Sequence, residues 1–467
     1  MSLAISTTQP KGYLKSKERK DTGAHYTPVE MADFLAHEIV TALEKTKASE
    51  KKKIKILDPA IGDGVLLESL VKALQIKRYA DVEPTGFDID KYALDIASNK
   101  LGAEGILRHE DFLKHVLENY LTADSLFSKQ KTQEQYDLVI TNPPYIRTQV
   151  LGSSESKRLS DAFGLSGRID VYHAFLKAIS AVMVPGGIAG LIVSNRFMTT
   201  QAGSTARSII KEEFDILHVW DLGDTKLFEA AVLPALLLLR KKDEQEKVSD
   251  SKMTTVYSVN DAHVEADIVE NIFSVLNNDG IAGTQHGSFL IQNGKLNSGS
   301  NSWDTWRLSN KSTDNWLKKV SEQTHCLFSD IGKIRVGVKT TADKVFIRDD
   351  WELLGDEKPE LLKPLITHHV ADHFMARELE KQVLYTHESF GGKKKAITIT
   401  DYPKSLKYLE QHRDILESRT YIKDAGRNWY EIWVPQDPDK WKQPKLVFRD
   451  ISKKPYFWLD ESGAVVN

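Results

Sequence analysis

Cysteine is nearly absent from this 467-residue chain, with Cys326 standing alone. One cysteine excludes a disulfide scaffold and any zinc or iron–sulfur site built from several thiolates. Long apolar runs are missing too. The longest, Ala230 to Leu239, is broken by Pro234; it suits a buried strand and falls well short of the ~20 residues that span a bilayer. The N-terminus is polar and lysine-rich with no apolar signal core, so the expectation is a cytoplasmic protein with no membrane partner. Charge of one sign is also lacking, since 63 Lys+Arg against 66 Asp+Glu leave −3. From residue 331 onward the balance is 24 basic to 22 acidic residues. Neither half has the basicity that alone would announce a nucleic-acid binder. Internal repeats and coiled-coil heptads are likewise missing.

What is there is a globular mix, 41% hydrophobic and 28% charged, in a length that suits two or three domains. Eight of the nine tryptophans lie beyond residue 300, which argues for a distinct C-terminal domain. Residues 1–20 read as a flexible basic arm. Thr27-Pro28-Val29-Glu30 has the form of a capping box, with Thr27 as N-cap and Pro28 at the first helical position. Strand, turn and helix then alternate. Strands are expected at Ile54–Leu57, Thr85–Asp88, Ile106–Leu107, Tyr136–Thr141, Ile188–Ser194, Leu217–Leu222 and Val232–Leu239. Such alternation implies right-handed crossovers and a mostly parallel, doubly wound seven-stranded α/β sheet. Residues 293–302 (NGKLNSGSNS) read as a linker by composition, separating a domain at 21–292 from one at 303–467.

In an open α/β sheet, ligands bind beyond the carboxyl ends of the strands. The unusual residues sit there. After strand one comes Asp58-Pro59-Ala60-Ile61-Gly62-Asp63-Gly64; strand two ends at Asp88; Asp111-Phe112 follow strand three; Asn142-Pro143-Pro144-Tyr145 follow strand four. Gly62 and Gly64 lack Cβ atoms, so backbone can approach a ligand. Asp88 is placed to accept from ribose hydroxyls. Each element alone has a plain explanation as a turn, a cap or a solvated carboxylate. Their joint occurrence in this order overturns it. The full G-x-G-x-x-G of a dinucleotide fold is absent, because Leu67 takes the third glycine position.

The runs GAHYTP (23–28), DPAIGDG (58–64), GFDID (86–90), EDFL (110–113), NPPY (142–145) and DLGDTKLFEAAVLPALLLL (221–239) resemble the gamma-group, TaqI-type DNA adenine-N6 methyltransferases of restriction–modification systems. The resemblance covers roughly 20–240 and resumes more weakly from about 330, still running at Asn467. It implies a Rossmann-like class I methyltransferase domain, a mixed α+β target-recognition domain and S-adenosylmethionine as cofactor. Double-stranded DNA would be the substrate, with a cognate endonuclease acting separately. It places Thr27 and Pro28 beside the methionine part of the cofactor. Asp58, Ala60, Gly62 and Gly64 would lie beneath it, Asp88 on its ribose, and Asp111 and Phe112 on its adenine. Asn142, Pro143, Pro144 and Tyr145 would grip the flipped adenine, with Phe228 packed on its far face. Ile61 and Asp63 stand where small or sulfur-bearing residues are common.

Ser153–Arg168 reads as a mobile surface loop in the free protein; Lys157, Arg158 and Arg168 are candidate phosphate contacts, as are Lys333, Arg335 and Lys339 with Lys393 to Lys395, although charge runs are usually just solvated. The C-terminal tryptophans read as core rather than base-stacking platforms. His368, His369 and His373 invite a metal reading, which the absence of nearby cysteine and the metal-free chemistry oppose. Two other readings remain open at this stage. One is methylation of a protein glutamine or an RNA base, whose enzymes share Asn-Pro-Pro-Tyr; the other is a catalytically idle DNA-binding specificity protein.

Overall fold

The computed structural model describes residues 27–46, 50–121, 134–144, 153–165, 170–225, 233–243, 250–259, 266–370, 372, 374–375, 378–452, 454 and 456–467. It divides after Glu322 into two units.

Unit 1 is built on strands too apolar to face water on either side. In β4 (Tyr136–Thr141) every residue is buried, and in β7 (Pro234–Lys241) all but the last. Fully burying one leucine contributes about 1.5–3 kcal/mol, and β7 buries four in succession. Around them lie β1 (Lys53–Asp58), β2 (Asp81–Asp88), β3 (Ile106–His109), β5 (Met183–Ser194) and β6 (Phe214–Asp221). The order is β3-β2-β1-β4-β5-β7-β6, with β7 antiparallel to both neighbours. All seven expected strands are present.

Helices cover both faces. On one face, α1 (Val29–Leu43), α2 (Val65–Ile76) and α3 (Lys91–Leu101) pack against Ile56, Leu138, Ile140, Ile192 and Leu236. On the other, α4 (Phe112–Val116), α5 (Ser153–Phe163), α6 (Val171–Val182) and α7 (Ser204–Glu213) cover Val139, Leu191, Val193 and Leu237. Alternate strand residues go to opposite cores, as the pleat requires.

Three expectations are corrected. The sheet does not stop at seven strands: β8 (Lys252–Ser258) joins β6, and β9 (Asp267–Ile268), β10 (Gly280–Thr284), β11 (Gly287–Asn297) and β12 (Arg307–Ser309) extend it to twelve. The segment read as a linker at 293–302 belongs to this extension. Its carbonyls at Ser298, Gly299 and Asn301 accept from Lys211 Nζ at 2.7, 2.9 and 3.1 Å, and Trp306 beyond it lies in the unit's core. The division after Glu322 therefore falls later than composition suggested. The loop expected at Ser153–Arg168 is helical in its first part, because Leu159 and Phe163, four residues apart, bury against α6 and its neighbours. Among the described residues no helix is long and apolar enough to cross a membrane.

Unit 2 is a mixed α+β assembly of small pieces. A four-stranded sheet has the order β13 (Ile347–Arg348), β15 (Lys381–Leu384), β14 (Leu362–Ile366), β20 (Val465–Val466). Two hairpins stand beside it, β16 (His387–Phe390) with β17 (Lys393–Ala396), and β18 (Lys445–Phe448) with β19 (Phe457–Asp460). Of the tryptophans read as core, Trp306, Trp351, Trp441 and Trp458 are buried and Trp429 and Trp433 half-buried, whereas Trp303 and Trp316 are exposed and depart from that expectation. The indole N–H of Trp351 donates to the Gln382 carbonyl at 3.0 Å, and that of Trp441 to the Tyr385 hydroxyl at 3.0 Å.

Candidate functional site

The site grows out of the carboxyl edge of β1, β2 and β4. Asp58 ends β1 fully buried, its Oδ1 accepting from Ala60 N–H at 3.1 Å. Burial pushes its carboxyl up to about 7, against the opposing pull of that N–H and of the Thr141 hydroxyl, with Asp88 and Asp63 adding to the rise. Its Oδ2 and Thr141 Oγ1 are both buried without a partner of hydrogen-bonding geometry among the described residues.

The loop after β1 is held from below. Ile61 N–H donates to the Phe87 carbonyl at 2.9 Å, and Gly62 N–H to Asp88 Oδ2 at 2.9 Å. Asp88 Oδ1 also accepts from Asp90 N–H at 2.8 Å, and burial raises its pKa. Gly64 has φ +81°, and a Cβ there would meet that of Ala97 at 2.9 Å, so close packing on α3 demands glycine. Gly62, at φ +54°, has nothing within 4 Å of where a Cβ would stand, so its backbone faces open space. Ile61 and Asp63, the two departures from the resembled motif, have structural work. Ile61 is buried against Gly86, and Asp63 pairs with Lys100 at 3.0 Å.

Asp111 and Phe112 have local explanations. Asp111 Oδ1 caps α4 by accepting from Leu113 and Lys114 N–H at 2.9 and 3.2 Å. Phe112 is buried with its ring centroid 5.3 Å from Phe87 and 5.8 Å from Phe175.

Thr27 is not the helix cap. The cap position of α1 is Pro28, without a side-chain hydrogen bond, and Thr27 is turned into the site. Its Oγ1, 4% exposed as a residue, accepts from Asn142 Nδ2 at 3.2 Å across 115 residues of sequence. That bond orients the carboxamide and leaves Asn142 Oδ1 buried with no partner among the described residues. Pro143 beside it is buried. Tyr145, Phe228 and Arg168 lie outside the described residues. Lys157 and Arg158 are exposed on α5, and Lys339 is exposed in unit 2. The rings of His368 and His369 lie 3.8 Å apart, tilted by 39°; His373 lies outside the described residues, among which no group of three metal-ligating side chains occurs.

Sequence reasoning missed a pocket of about 410 Å³ further along the same edge. Asn195, just after β5, and Asp221, ending β6, line it with Arg196, Tyr257 and Trp306. Asp221 accepts from Asn195 Nδ2 at 2.9 Å, Gly223 N–H at 3.1 Å and the Tyr257 hydroxyl at 2.6 Å. The strand-end rule, applied beyond β4, would have found it.

A doubly wound sheet in the order 3-2-1-4-5-7-6 with an antiparallel seventh strand, an acidic glycine loop after the first and Asn-Pro-Pro after the fourth define a class I, S-adenosylmethionine-dependent methyltransferase. S-adenosylmethionine is the methyl donor. The residues fit it: Gly62 leaves open space where a Cβ would stand, and Asp58 Oδ2 just before it is buried with no hydrogen-bond partner among the described residues.

Residues 83–228 match the family model of the Eco57I restriction-modification methylase. The type II methyltransferase M.BanIII of Aneurinibacillus aneurinilyticus is 40% identical over 96% of this chain and 80% of its own length. M.BstVI of Geobacillus stearothermophilus is 26% identical over 94% of this chain and 79% of that relative. Among solved structures, the type IIG restriction endonuclease BpuSI is 17% identical, covers 80% of this chain and 45% of that one, and has a TM-score of 0.45. The chain belongs to the type II methyltransferases of restriction–modification.

Proposed function

We propose that the chain methylates the N6 amino group of an adenine flipped out of duplex DNA. The observation that carries this reading is the pair of states at Asn142, with Nδ2 tied to Thr27 and Oδ1 buried with no partner among the described residues. An unpartnered buried acceptor costs about 1–3 kcal/mol, which a donor on a bound substrate would recover. An exocyclic amine is a poor nucleophile because its lone pair is delocalised into the ring. Asn142 Oδ1 and the Pro143 carbonyl would accept its two hydrogens and draw the nitrogen toward a tetrahedral shape. Proline restricts φ at 143 and 144 and so steadies that carbonyl. Tyr145 and Phe228 would stack on the extruded base, recovering part of the few kcal/mol that flipping costs.

S-adenosylmethionine, when bound, supplies an electrophilic methyl on a sulfonium. Asp58, Ala60, Gly62 and Gly64 would hold it, with Asp88 at its ribose, Asp111 and Phe112 at its adenine, and Thr27 and Pro28 at its methionine end. The rest is positioning and electrostatics in a desolvated site. Lys157, Arg158, Arg168 and Lys339 are proposed phosphate contacts, and unit 2 is proposed as the target-recognition domain. The biological setting is protection of host DNA against a separately acting endonuclease.

Labelled S-adenosylmethionine, unmethylated bacterial DNA and nucleoside mass spectrometry test this. Wild type should yield N6-methyladenine. Asn142→Ala should lose at least about 10²–10³-fold in kcat with cofactor affinity unchanged, the scale of removing one transition-state contact. N4-methylcytosine as the product, or full activity in the variant, would sink the adenine reading or the role of Asn142 respectively.

A further inference from the structure

Unit 2 carries a two-stranded ribbon that the reaction above does not use. Strands β16 and β17 pair in the register His387↔Ala396, Glu388↔Lys395, Ser389↔Lys394 and Phe390↔Lys393. Gly391 and Gly392 close it with φ of +59° and +74°. A two-residue turn with both φ positive is the tight hairpin turn whose twist matches its strands. Opposed residues share a face, so Glu388, Phe390, Lys393 and Lys395 lie on one side, and His387, Ser389, Lys394 and Ala396 on the other.

Base and tip differ sharply. At the base His387 is buried and pairs with Glu431 at 3.4 Å. Ile397 N–H donates to the Thr386 carbonyl at 3.1 Å, and the Ile397 carbonyl accepts from the Tyr430 hydroxyl at 2.9 Å. These bonds fix the direction in which the ribbon leaves the core. At the tip Phe390 is 73% exposed, and Lys393, Lys394 and Lys395 are exposed with no ion pair among the described residues, Glu388 standing opposite Lys395 in the register. Lys395 Nζ lies 5.7 Å from the centroid of the Phe390 ring on the outer face. Folding explains none of this. The aromatic buries little, and three consecutive cations repel one another.

We propose that this ribbon enters the major groove of duplex DNA, with Lys393, Lys394 and Lys395 meeting phosphates and Phe390 packing on base edges. The proposal rests on the DNA reading above and adds the element that makes the contact. Four residues per strand at ~3.3 Å give a ribbon about 13 Å long. The B-form major groove, about 12 Å wide and 8.5 Å deep, admits a two-stranded ribbon of that size. The paired glycines put no side chain at the apex, so backbone can approach the groove floor. The deep, narrow major groove of an A-form RNA duplex would exclude it.

The test measures binding of the full chain to a mixed-sequence DNA duplex by fluorescence anisotropy across salt concentrations. Each phosphate contact contributes about 0.9 to the slope of log K against log salt. Replacing the three lysines together (Lys393→Gln, Lys394→Gln, Lys395→Gln) should lower that slope by about 2.7. Between 200 and 50 mM salt, wild type should then gain about 40-fold more affinity than the triple variant. Phe390→Ser should weaken binding about tenfold and leave the slope unchanged. Unchanged melting and calorimetric cofactor affinity confirm that the variants fold. An unaltered slope in the triple variant overturns the proposal, as does an RNA duplex bound as tightly with the same lysine dependence. Mass spectrometry on the same wild-type protein separates the two readings. Methylated DNA with an unaltered slope removes the ribbon alone, whereas a wild type that neither binds nor methylates DNA removes both.

Discussion

In unit 1 three buried polar atoms at the carboxyl edge of the twelve-stranded sheet, Asp58 Oδ2, Thr141 Oγ1 and Asn142 Oδ1, have no hydrogen-bond partner among the described residues. In unit 2 the corresponding groups of the ribbon are the exposed ammoniums of Lys393, Lys394 and Lys395, which form no ion pair among the described residues. The two placements suit different work. Polarising an amine requires oriented dipoles away from solvent, where they need no reorganisation. Phosphate binding gains chiefly from counterion release, which calls for solvated cations that can reach. The units resemble each other in one device, a buried arginine satisfied by backbone carbonyls. Arg207 donates to Ser302, Thr200 and Trp303 carbonyls at 2.8, 2.9 and 3.3 Å and to that of Phe197. Arg419 donates to Leu416, Thr340, Glu431 and Trp429 carbonyls at 3.1, 2.9, 3.1 and 2.6 Å. In both, one side chain ties together loops that sequence leaves far apart.

The largest effect that could break this comparison is on stability. Arg207→Met and Arg419→Met each strand four carbonyls and should cost about 3 kcal/mol or more. Scanning calorimetry of the full chain should show them lowering different transitions, and Arg419→Met should leave S-adenosylmethionine affinity intact. A single transition lowered by both would mean that the units melt as one.

Next in size is Asp58. Its carboxyl keeps its proton to about pH 7 when folded, against an ordinary value of 3.8. Between those values the folded chain binds the extra proton, so stability falls as pH rises from about 4 to 7. Asp58→Asn should flatten that slope in urea titrations and weaken the cofactor about 30-fold, the scale of one charged hydrogen bond. Titrating wild type with S-adenosylmethionine at pH 6.5 in buffers of different ionisation heat should show proton release. Proton uptake would mean that no cationic group of the ligand meets Asp58.

The smallest effect sharpens the site itself. Thr27→Val removes the acceptor that orients Asn142 and should lower kcat up to about tenfold, while Thr27→Ser restores it. Equal losses in both variants would point to packing instead.

The central strands were legible because strands buried on both faces read as near-continuous apolar runs whichever way they pair, as in Leu138–Ile140 of β4 and Ala235–Leu239 of the antiparallel β7. Strands β8 to β12 were not. β11 is mostly exposed or half-buried and rich in Asn and Gly, so its composition imitates a loop. The same bias disguised 293–302 as a linker, since the lysine that pins it lies nearly 90 residues earlier. Eight tryptophans beyond residue 300 pointed to a boundary, yet Trp306 belongs to unit 1 because it docks edge-on against Phe197, 5.2 Å away.

Which residues stand at the strand ends was determined by the sequence itself, because hydrophobic periodicity fixes where strands stop and the polar residues that follow are read directly. Which of their atoms stay unpaired was decided by the tertiary structure alone. Thr27 reads as a perfectly good cap until the fold sets it beside Asn142 and Pro28 takes its position. Asp111 reads as a strand-end carboxylate with both oxygens open until α4 takes Oδ1 for its cap. Local pattern records what a side chain can donate or accept; only the folded chain determines whether a neighbour has already taken it.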